Sequence, residues 1–393
     1  MGVYPPQISS IFVIFIVYNE STPGVWECKI RICIIMANNK LTKARAEKND
    51  EFYTRLEDIE KELKFYRRHF EGKVVFCNCD DPYESNFFKF FALNFNWFKL
   101  KKLIATCYDG SPITGIELPL WEDKDGEKKK ALKAVLMIDE LYDANGDGAI
   151  DEEDVKLILQ KPGAVTELKG NGSFDSPECI ELLKESDIVC TNPPFSRFRD
   201  FIDLILKYNK KFLVIGNTNA TTYKEIFSKI KDNQIWLGVS SFNTGMYFYV
   251  PETYEYTSDY KSDKEKDGKK TIRVSSVCWF TNLEHPKRNE PIYLVKKYKG
   301  HEDEYPKYAN YDAIEVSKVD NIPDDYMGLM GVPITFFDKY CPDQFEIVDC
   351  CEPCIDLNVF KSMKNFTEYK SRQVVHNNRV CQKTYHRILI RRK

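Results

Sequence analysis

Residues 187–195 read DIVCTNPPF and lead directly into the sequence FRDFIDLI at residues 198–205. The first five letters form an apolar run with the length and composition of a buried β-strand. In the second sequence the apolar residues recur at the spacing of one face of an amphipathic helix. A strand that passes through a short turn into a helix is the repeating unit of α/β proteins, so this stretch predicts that fold class.

The same alternation of apolar runs and helical patterns continues on both sides. Right-handed connections between such units produce a doubly wound, mostly parallel sheet with helices on both faces. Ligands of these sheets bind beyond the carboxyl ends of the strands. The predicted elements are a helix at 50–66, a strand at 74–79, a helix at 86–98, strands at 103–108, 187–191 and 211–216, a helix at 223–231 and a strand at 235–239.

The pattern changes at residue 246, where aromatic and β-branched runs replace the helical ones. The charged stretch at 258–270 between them indicates an exposed loop. We therefore expect a catalytic domain at 36–245, followed at 246–393 by the last strands of the sheet and a smaller β-rich or mixed module. Residues 1–35 precede a polar segment that begins with Met36, and we interpret them as an N-terminal extension or a wrongly chosen start.

Composition excludes several classes of protein. Hydrophobic residues make up 43% of the chain, which argues against global disorder. The 13 cysteines follow no regular spacing, so we interpret them as reduced thiols of a cytoplasmic protein. Cys351 and Cys354 form one C-x-x-C pair without the second pair of a structural zinc site. The apolar run at 11–18 is too short to span a membrane and has no basic segment before it, so we expect no anchor.

The C-terminal end is strongly basic. Residues 361–393 contain ten Lys or Arg against one acidic residue, Glu368, although the whole chain has a net charge of only -3. Aromatic and β-branched residues alternate with these cations, which favours a folded segment over a solvated tail. A basic, folded segment is typical of a surface that contacts nucleic-acid phosphates.

The tetrapeptide Asn192-Pro193-Pro194-Phe195 predicts chemistry as well as a turn. An exocyclic amine of a nucleobase is a poor nucleophile, because its lone pair is delocalised, until two acceptors hold its hydrogens. The Asn192 side chain and the Pro193 carbonyl can be those acceptors. The prolines lack N–H groups and fix φ, which keeps that carbonyl pointed outward. Phe195 offers a flat face for a base rotated out of a duplex.

Transfer of a methyl group from a sulfonium to such an amine needs little acid or base help, because the donor is already activated. Alignment of nitrogen, methyl group and sulfur supplies most of the rate. The tetrapeptide by itself leaves the acceptor open, because adenine N6, cytosine N4, RNA and a glutamine amide can all use it. The alternative is a rigid turn that ends a strand in a DNA-binding or calcium-binding protein without catalytic activity.

Six blocks, in order, resemble the EcoRI-type adenine-specific DNA methyltransferases. The similarity runs from about residue 45 to the C-terminus and leaves residues 1–35 outside. The blocks are DEFYT at 50–54, VFCNCDDP at 75–82, residues 186–196, WFTNL at 279–283, GVPITF at 331–336 and CQKTYHR at 381–387.

This resemblance implies a Rossmann-like class I methyltransferase sheet with a C-terminal DNA-recognition module. It implies S-adenosylmethionine as methyl donor and N6 of a flipped adenine in double-stranded DNA as acceptor. The expected setting is a cytoplasmic, bacterial or phage-encoded enzyme with a cognate restriction endonuclease beside it. The recognition sequence and the oligomeric state do not follow from the sequence.

The resemblance also implies where the cofactor binds. The loop at 77–82 departs from the usual pattern because it lacks glycine. Ser173 stands where the family favours an acidic residue facing the cofactor's adenine, and Asp175 is placed to compensate. Asp109, after the second strand, is a candidate for the ribose hydroxyls or simply a turn residue before Gly110. The expected cofactor residues are Phe52, Tyr53, Thr54, Asn78, Asp80, Asp81, Asp109 and Ser173.

Residues 143–154, DANGDGAIDEED, match the pattern of a twelve-residue calcium loop. The last position is Asp154 instead of the usual bidentate glutamate, and the motif occurs once. The alternative is an acidic turn that caps a helix at Glu152–Leu159; a bound calcium ion would be structural. The candidate metal ligands are Asp143, Asn145, Asp147, Asp151 and Asp154.

Overall fold

A computed structural model describes residues 13–22, 25–33, 53–79, 86–106, 134–240, 242, 244–250, 270–308, 312–350, 373–376, 379–382 and 386–393. The chain divides into two compact units, Met1–Asp50 and Glu51–Lys393. The first unit contains an antiparallel hairpin of β1 (Val13–Thr22) and β2 (Val25–Cys33). None of the described helices is long and apolar enough to cross a membrane.

The second unit contains both helices and strands. Its helices are α1 (Leu56–Leu63), α2 (Arg67–Phe70), α3 (Asn86–Leu93), α4 (Phe95–Phe98), α5 (Glu152–Leu159), α6 (Pro177–Glu185), α7 (Phe198–Lys207) and α8 (Lys224–Lys231). Its strands are β3 (Tyr53–Thr54), β4 (Val74–Cys77), β5 (Lys102–Thr106), β6 (Ala134–Ile138), β7 (Val165–Glu167), β8 (Ile188–Thr191), β9 (Lys211–Asn217), β10 (Trp236–Leu237), β11 (Met246–Tyr249), β12 (Thr271–Val274), β13 (Val277–Thr281), β14 (Lys307–Tyr308), β15 (Ala313–Glu315), β16 (Leu329–Pro333), β17 (Phe345–Cys350), β18 (Gln373–His376), β19 (Arg379–Gln382) and β20 (Arg387–Arg392).

Eight strands form the largest sheet, in the order β10-β13-β9-β8-β4-β5-β6-β7. The four central strands β9, β8, β4 and β5 are parallel, as predicted. The outer strands pair antiparallel, β13 with β9 on one side and β6 with β5 on the other. The prediction of a mixed α/β protein is therefore confirmed. The prediction of a mostly parallel sheet is wrong at the outer strands. Antiparallel neighbours can be joined without a crossover helix, so the alternation of strands and helices in the sequence does not reveal them.

Both faces of this sheet are buried. Along β4, Val75 and Cys77 belong to the hydrophobic core that includes residues of α1, α3 and α5. Val74 and Phe76 belong to the opposite core, with residues of α7 and α8. Side chains alternate across a strand, so a strand covered on both faces needs a continuous apolar run. This requirement explains why the apolar runs were recognisable in the sequence.

Two smaller sheets lie in the described part of the unit. One has three strands in the order β12-β11-β3, and the other has seven in the order β17-β20-β16-β15-β14-β18-β19. Residues of the seven-stranded sheet, among them Met330 and Ile390, join the same hydrophobic core as α7 and α8. The division at residue 246 remains a prediction.

The predicted helix at 86–98 is two helices, α3 and α4, separated at Asn94. The Asn94 side chain donates to the carbonyl of Phe90 at 2.9 Å. Asparagine side chains that bond to nearby backbone compete with continued helix, which explains the break.

Gly216 in β9 leaves space for the aromatic rings of Phe198 and Phe280, whose centroids are 4.9 Å apart. A methyl group added to Gly216 would lie 2.5 Å from Phe198 Cε2 and 2.9 Å from Phe280 Cδ2. Phe198 begins α7, the helix that follows the tetrapeptide. Close packing at this glycine therefore anchors that helix to the sheet.

We expect Gly216→Ala to lower the free energy of unfolding by about 1–3 kcal/mol, because an overpacked core forces side chains and backbone to shift. Urea denaturation measures the loss. The matched test repeats the substitution in a Phe198→Leu background, which removes the nearer of the two rings that the methyl group meets. An equal loss in both backgrounds would contradict the packing argument.

Candidate active site

The carboxyl ends of the parallel strands β4, β5, β8 and β9 lie at one edge of the sheet, which we call the carboxyl edge. The backbone N–H of Cys79, after β4, donates to Thr191 Oγ1 at the end of β8 over 3.2 Å. This bond places the segment at 78–79 directly beside the tetrapeptide. The segment expected to bind the cofactor, at 78–79, and the tetrapeptide expected to bind the acceptor therefore begin side by side.

The tetrapeptide forms the bend between β8 and α7. Pro193 is buried, and the other three residues are half-buried. The Pro194 carbonyl accepts from the Arg197 amide at 2.9 Å, which closes a 3-10 turn at Phe195–Arg197. The Oδ1 atom of Asn192 is shielded from solvent. A buried acceptor at a strand end fits a site that excludes water around the group it binds.

Two buried polar atoms near this edge fit a cofactor. Asn78 Nδ2 and Thr54 Oγ1 are buried and have no hydrogen-bond partner among the residues that the structure describes. The Thr54 carbonyl accepts from Asn86 Nδ2 at 2.5 Å, which ties β3 to the start of α3. Leaving such groups unpaired costs about 1–3 kcal/mol each, so a ligand that pairs them is favoured. The ribose hydroxyls, carboxylate and ammonium of S-adenosylmethionine have the required acceptors and donors.

Several predicted cofactor residues cannot be compared with the structure. Phe52, Asp80, Asp81 and Asp109 lie outside the described residues, and only the backbone of Tyr53 is described, as the first residue of β3. Their roles remain predictions.

Ser173 lies in the loop before α6, at the carboxyl edge. Strand β7 pairs antiparallel with β6, and β6 with β5, so β7 ends at the same edge as β5. Ser173 Oγ donates to Asp175 Oδ1 at 2.5 Å. The second carboxylate oxygen of Asp175 accepts from Arg197 Nη2 at 2.6 Å. Asp175 therefore pairs with Ser173 and Arg197 in this structure, which leaves little of its carboxylate for a cofactor.

Arg197 was not predicted from the sequence. Its guanidinium also donates to Ser173 Oγ at 3.2 Å and lies 4.4 Å from the centre of the Phe174 ring. The hydrogen bond from Arg197 lowers the pKa of Asp175, so that carboxylate stays charged. The one signal in the sequence was the position of Arg197, two residues after the tetrapeptide.

One of the ten Lys and Arg residues of the predicted basic surface at the C-terminal end, Arg387, does not lie on the surface. Arg387 is buried, and its guanidinium donates to both carboxylate oxygens of Glu315, with Nη2 at 2.8 Å from Oε1. Tyr308 also donates to Glu315. A buried cation whose guanidinium is paired in this way is not available to contact phosphate.

The calcium-like loop is closed by its own backbone. Asp154 Oδ1 accepts from the amides of Ala144, at 2.7 Å, and Asn145, at 3.2 Å. Its Oδ2 accepts from Asp151 N at 2.9 Å. The Asp151 side chain in turn accepts from Glu153 N at 2.7 Å, which gives α5 a reciprocal N-terminal cap.

The other candidate ligands in this loop also bond locally. Asp143 accepts from the amides of Gly146 and Gly148, and Asp147 accepts from Ala149 N at 2.8 Å. The described residues contain no group of three or more His, Cys, Asp or Glu that could hold a metal ion. The geometry supports the capping turn and gives calcium no support. At the loop position where a calcium-binding loop has glutamate, the shorter Asp154 side chain accepts hydrogen bonds from backbone amides.

We expect Asp154 to make the stability of this loop depend on pH. The amides of Asp151, Ala144 and Asn145 lower the Asp154 pKa. A carboxylate with a lowered pKa stabilises the fold fully above its unfolded-state pKa of about 3.9, and this stabilisation is lost as the pH falls through the lowered value. The Tm difference between the wild type and Asp154→Asn should therefore be largest near neutral pH and shrink below about pH 4. Addition of Ca²⁺ should leave the Tm of both unchanged; a calcium-dependent rise for the wild type would contradict the capping role.

A family model described as "Adenine-specific methyltransferase EcoRI" matches residues 40–393. The chain is 47% identical over 314 residues to Type II methyltransferase M.EcoRI of Escherichia coli, a match that covers 79% of this chain and 89% of that protein. It is 41% identical over 324 residues to Type II methyltransferase M.MpnI of Mycoplasma pneumoniae, covering 81% and 88%. It is 38% identical over 322 residues to Type II methyltransferase M.MgeORF184P of Mycoplasma genitalium, covering 81% and 89%.

No solved structure matches the chain significantly. The family match takes in the tetrapeptide, the segment at 78–79 and the loop at 173–175, which the fold brings to one edge of the sheet. The chain therefore belongs to the EcoRI family of adenine-specific DNA methyltransferases, in which S-adenosylmethionine is the implied methyl donor.

Proposed function

We propose that the chain transfers a methyl group to N6 of an adenine that is rotated out of a specific site in double-stranded DNA. The observation that carries this proposal is the bond between Cys79 N and Thr191 Oγ1, because it joins the expected cofactor segment to the tetrapeptide. Alignment of donor and acceptor is the main demand of methyl transfer, and two segments fixed side by side meet it. The family description favours adenine over cytosine, RNA or a protein amide.

The sheet supports a Rossmann-like class I methyltransferase core. Four central parallel strands have buried side chains on both faces, and the candidate residues lie at the carboxyl edge, where ligands of such sheets bind. We assign residues 36–245 to this core and 246–393 to its last strands and a target-recognition module. The seven-stranded sheet and the basic residues near the C-terminus support that assignment.

Each residue of the tetrapeptide has a role in the proposed reaction. Asn192 Oδ1 and the Pro193 carbonyl accept the two amine hydrogens, and Pro194 holds the bend that aims them. Phe195 stacks against the flipped base. When bound, S-adenosylmethionine supplies a methyl group that is already activated. Thr54, Asn78 and Ser173, with the predicted Phe52, Tyr53, Asp80, Asp81 and Asp109, bind and orient it.

The relatives' names contain "Type II methyltransferase", which supports a setting beside a cognate restriction endonuclease. Methylation would then protect the host's own recognition sites. Sequencing of DNA from cells that express the chain, with a method that reports methylated adenines, would reveal the site.

We expect Asn192→Ala to reduce methylation by about 100-fold or more with the fold retained, because the reacting amine loses one of the groups that align it. Nucleoside mass analysis of incubated DNA measures N6-methyladenine, and circular dichroism checks the fold. Asn289→Ala, in an exposed turn, is the matched control and should retain wild-type activity. Full activity in Asn192→Ala would refute the assigned role.

We expect Asn78→Ala to weaken binding of S-adenosylmethionine about fivefold to tenfold, the loss of one hydrogen bond to the cofactor. Without ligand the loss of stability should be small, because Asn78 Nδ2 has no described partner and Oδ1 accepts only from Cys79 Sγ at 3.6 Å. Isothermal titration calorimetry measures the affinity. An unchanged affinity would remove Asn78 from the cofactor site.

A further inference from the structure

Arg197 connects two segments that lie far apart in the chain. It ends the 3-10 turn that Phe195 begins, so its backbone is continuous with the tetrapeptide. Its side chain reaches the loop before α6, with Nη1 at 3.2 Å from Ser173 Oγ and Nη2 at 2.6 Å from Asp175 Oδ2. The two partners precede it in the chain by 24 and 22 residues. Arg197 therefore joins the acceptor turn to the loop assigned to the cofactor.

The guanidinium is held in one orientation. Its planar fork donates to two different acceptors, and Ser173 Oγ also bonds to Asp175, so the three side chains form a closed set of contacts. The Phe174 ring lies 4.4 Å from the guanidinium carbon. Phe174 is buried and packs edge-on against Phe201 of α7. The cation thus rests on a fixed aromatic surface.

The loop is also fixed on its other side. The Ser176 side chain accepts from Cys179 N and caps α6, and the Ser176 amide donates to the Ser173 carbonyl at 2.8 Å. The helix cap therefore sets the position of the loop relative to α6, and Arg197 sets its position relative to the tetrapeptide.

An exposed ion pair contributes little to stability. The side chains of Arg197 and Asp175 are 37% and 44% exposed, and measured pairs of this kind are worth little to the fold. The pair lies beside the predicted reaction site, where a displacement of about 1 Å can reduce the rate about 100-fold. The geometry therefore predicts a large effect on alignment and a small one on stability.

We propose that Arg197 is a positioning residue for methyl transfer: it sets the distance between the Ser173–Asp175 loop, which we expect to bind the cofactor, and the turn that we expect to bind the target amine. This inference rests on the proposed function. In this proposal Arg197 acts through its contacts with Ser173 and Asp175 and through the turn, and not by touching the methyl group or the target base.

The test compares Arg197→Gln and Arg197→Lys with the wild type in steady-state methylation of DNA. Arg197→Gln should raise the KM for S-adenosylmethionine several-fold and lower kcat about tenfold to 100-fold, with little change in Tm. Arg197→Lys keeps the charge but loses the planar fork, so it should recover part of the loss. A purely structural role would instead lower Tm and leave the KM and kcat of the folded enzyme unchanged.

The matched control is Lys184→Gln in α6. Lys184 also pairs with a carboxylate, Glu181, at 2.7 Å and lies 5.9 Å from the centre of an aromatic ring, that of Tyr208. The Lys184→Gln substitution removes an exposed ion pair and a cation–ring contact of the same kind from α6, the helix that follows the loop. KM and kcat should stay at wild-type values.

A charge exchange tests the contact directly. Arg197→Asp and Asp175→Arg alone should each impair activity, and the double variant should recover at least part of it, because the pair is restored in reverse. Losses that simply multiply in the double variant, or wild-type kinetics in Arg197→Gln, would overturn the positioning role while the wild type still methylates adenine. A wild type that neither binds S-adenosylmethionine nor methylates DNA would overturn the proposed function as well.

Discussion

The parallel pairing of β4 with β8 is the constraint on which the rest of the site depends. Val75 pairs with Ile188 and Phe76 with Val189, so the two strands end together, and Cys79 N can reach Thr191 Oγ1. A shift of this register by one residue would turn every side chain of a strand to the other face. Both faces are filled by apolar cores, so the fit of the packed side chains opposes such a shift and holds the expected cofactor segment beside the tetrapeptide.

The polar groups of the larger unit divide into those that pair within the protein and those without a described partner, which we expect a ligand to pair. Asp154 and Asp143 accept from amides of their own loop, and Glu315 pairs with Arg387 in the seven-stranded sheet. Asn78 Nδ2 and Thr54 Oγ1 remain buried and unpaired among the described residues. Unpaired buried groups are unfavourable in the free protein, and this cost is removed when a ligand with matching groups binds. The contrast distinguishes structural from binding residues of similar chemistry.

Orientation is the common theme of the candidate site. The prolines fix the bend, the 3-10 turn at Phe195–Arg197 leads into α7, and close packing of Gly216 against Phe198 holds that helix on the sheet. Each of these features orients a group, and the transfer itself needs little acid or base help. An enzyme whose donor is already activated requires little beyond such positioning.

Features that depend on neighbouring residues could be predicted from the sequence. The apolar runs of β4, β8 and β9, the tetrapeptide bend and the bounds of α5 were predicted correctly, because burial on both faces, proline geometry and helix capping act within a few residues. The antiparallel outer strands β6 and β13, the pairing of Arg197 with Asp175 and the burial of Arg387 against Glu315 were not predicted. These partners are 22 and 72 residues apart for the two arginines, and only the path of the folded chain decides which distant side chains meet.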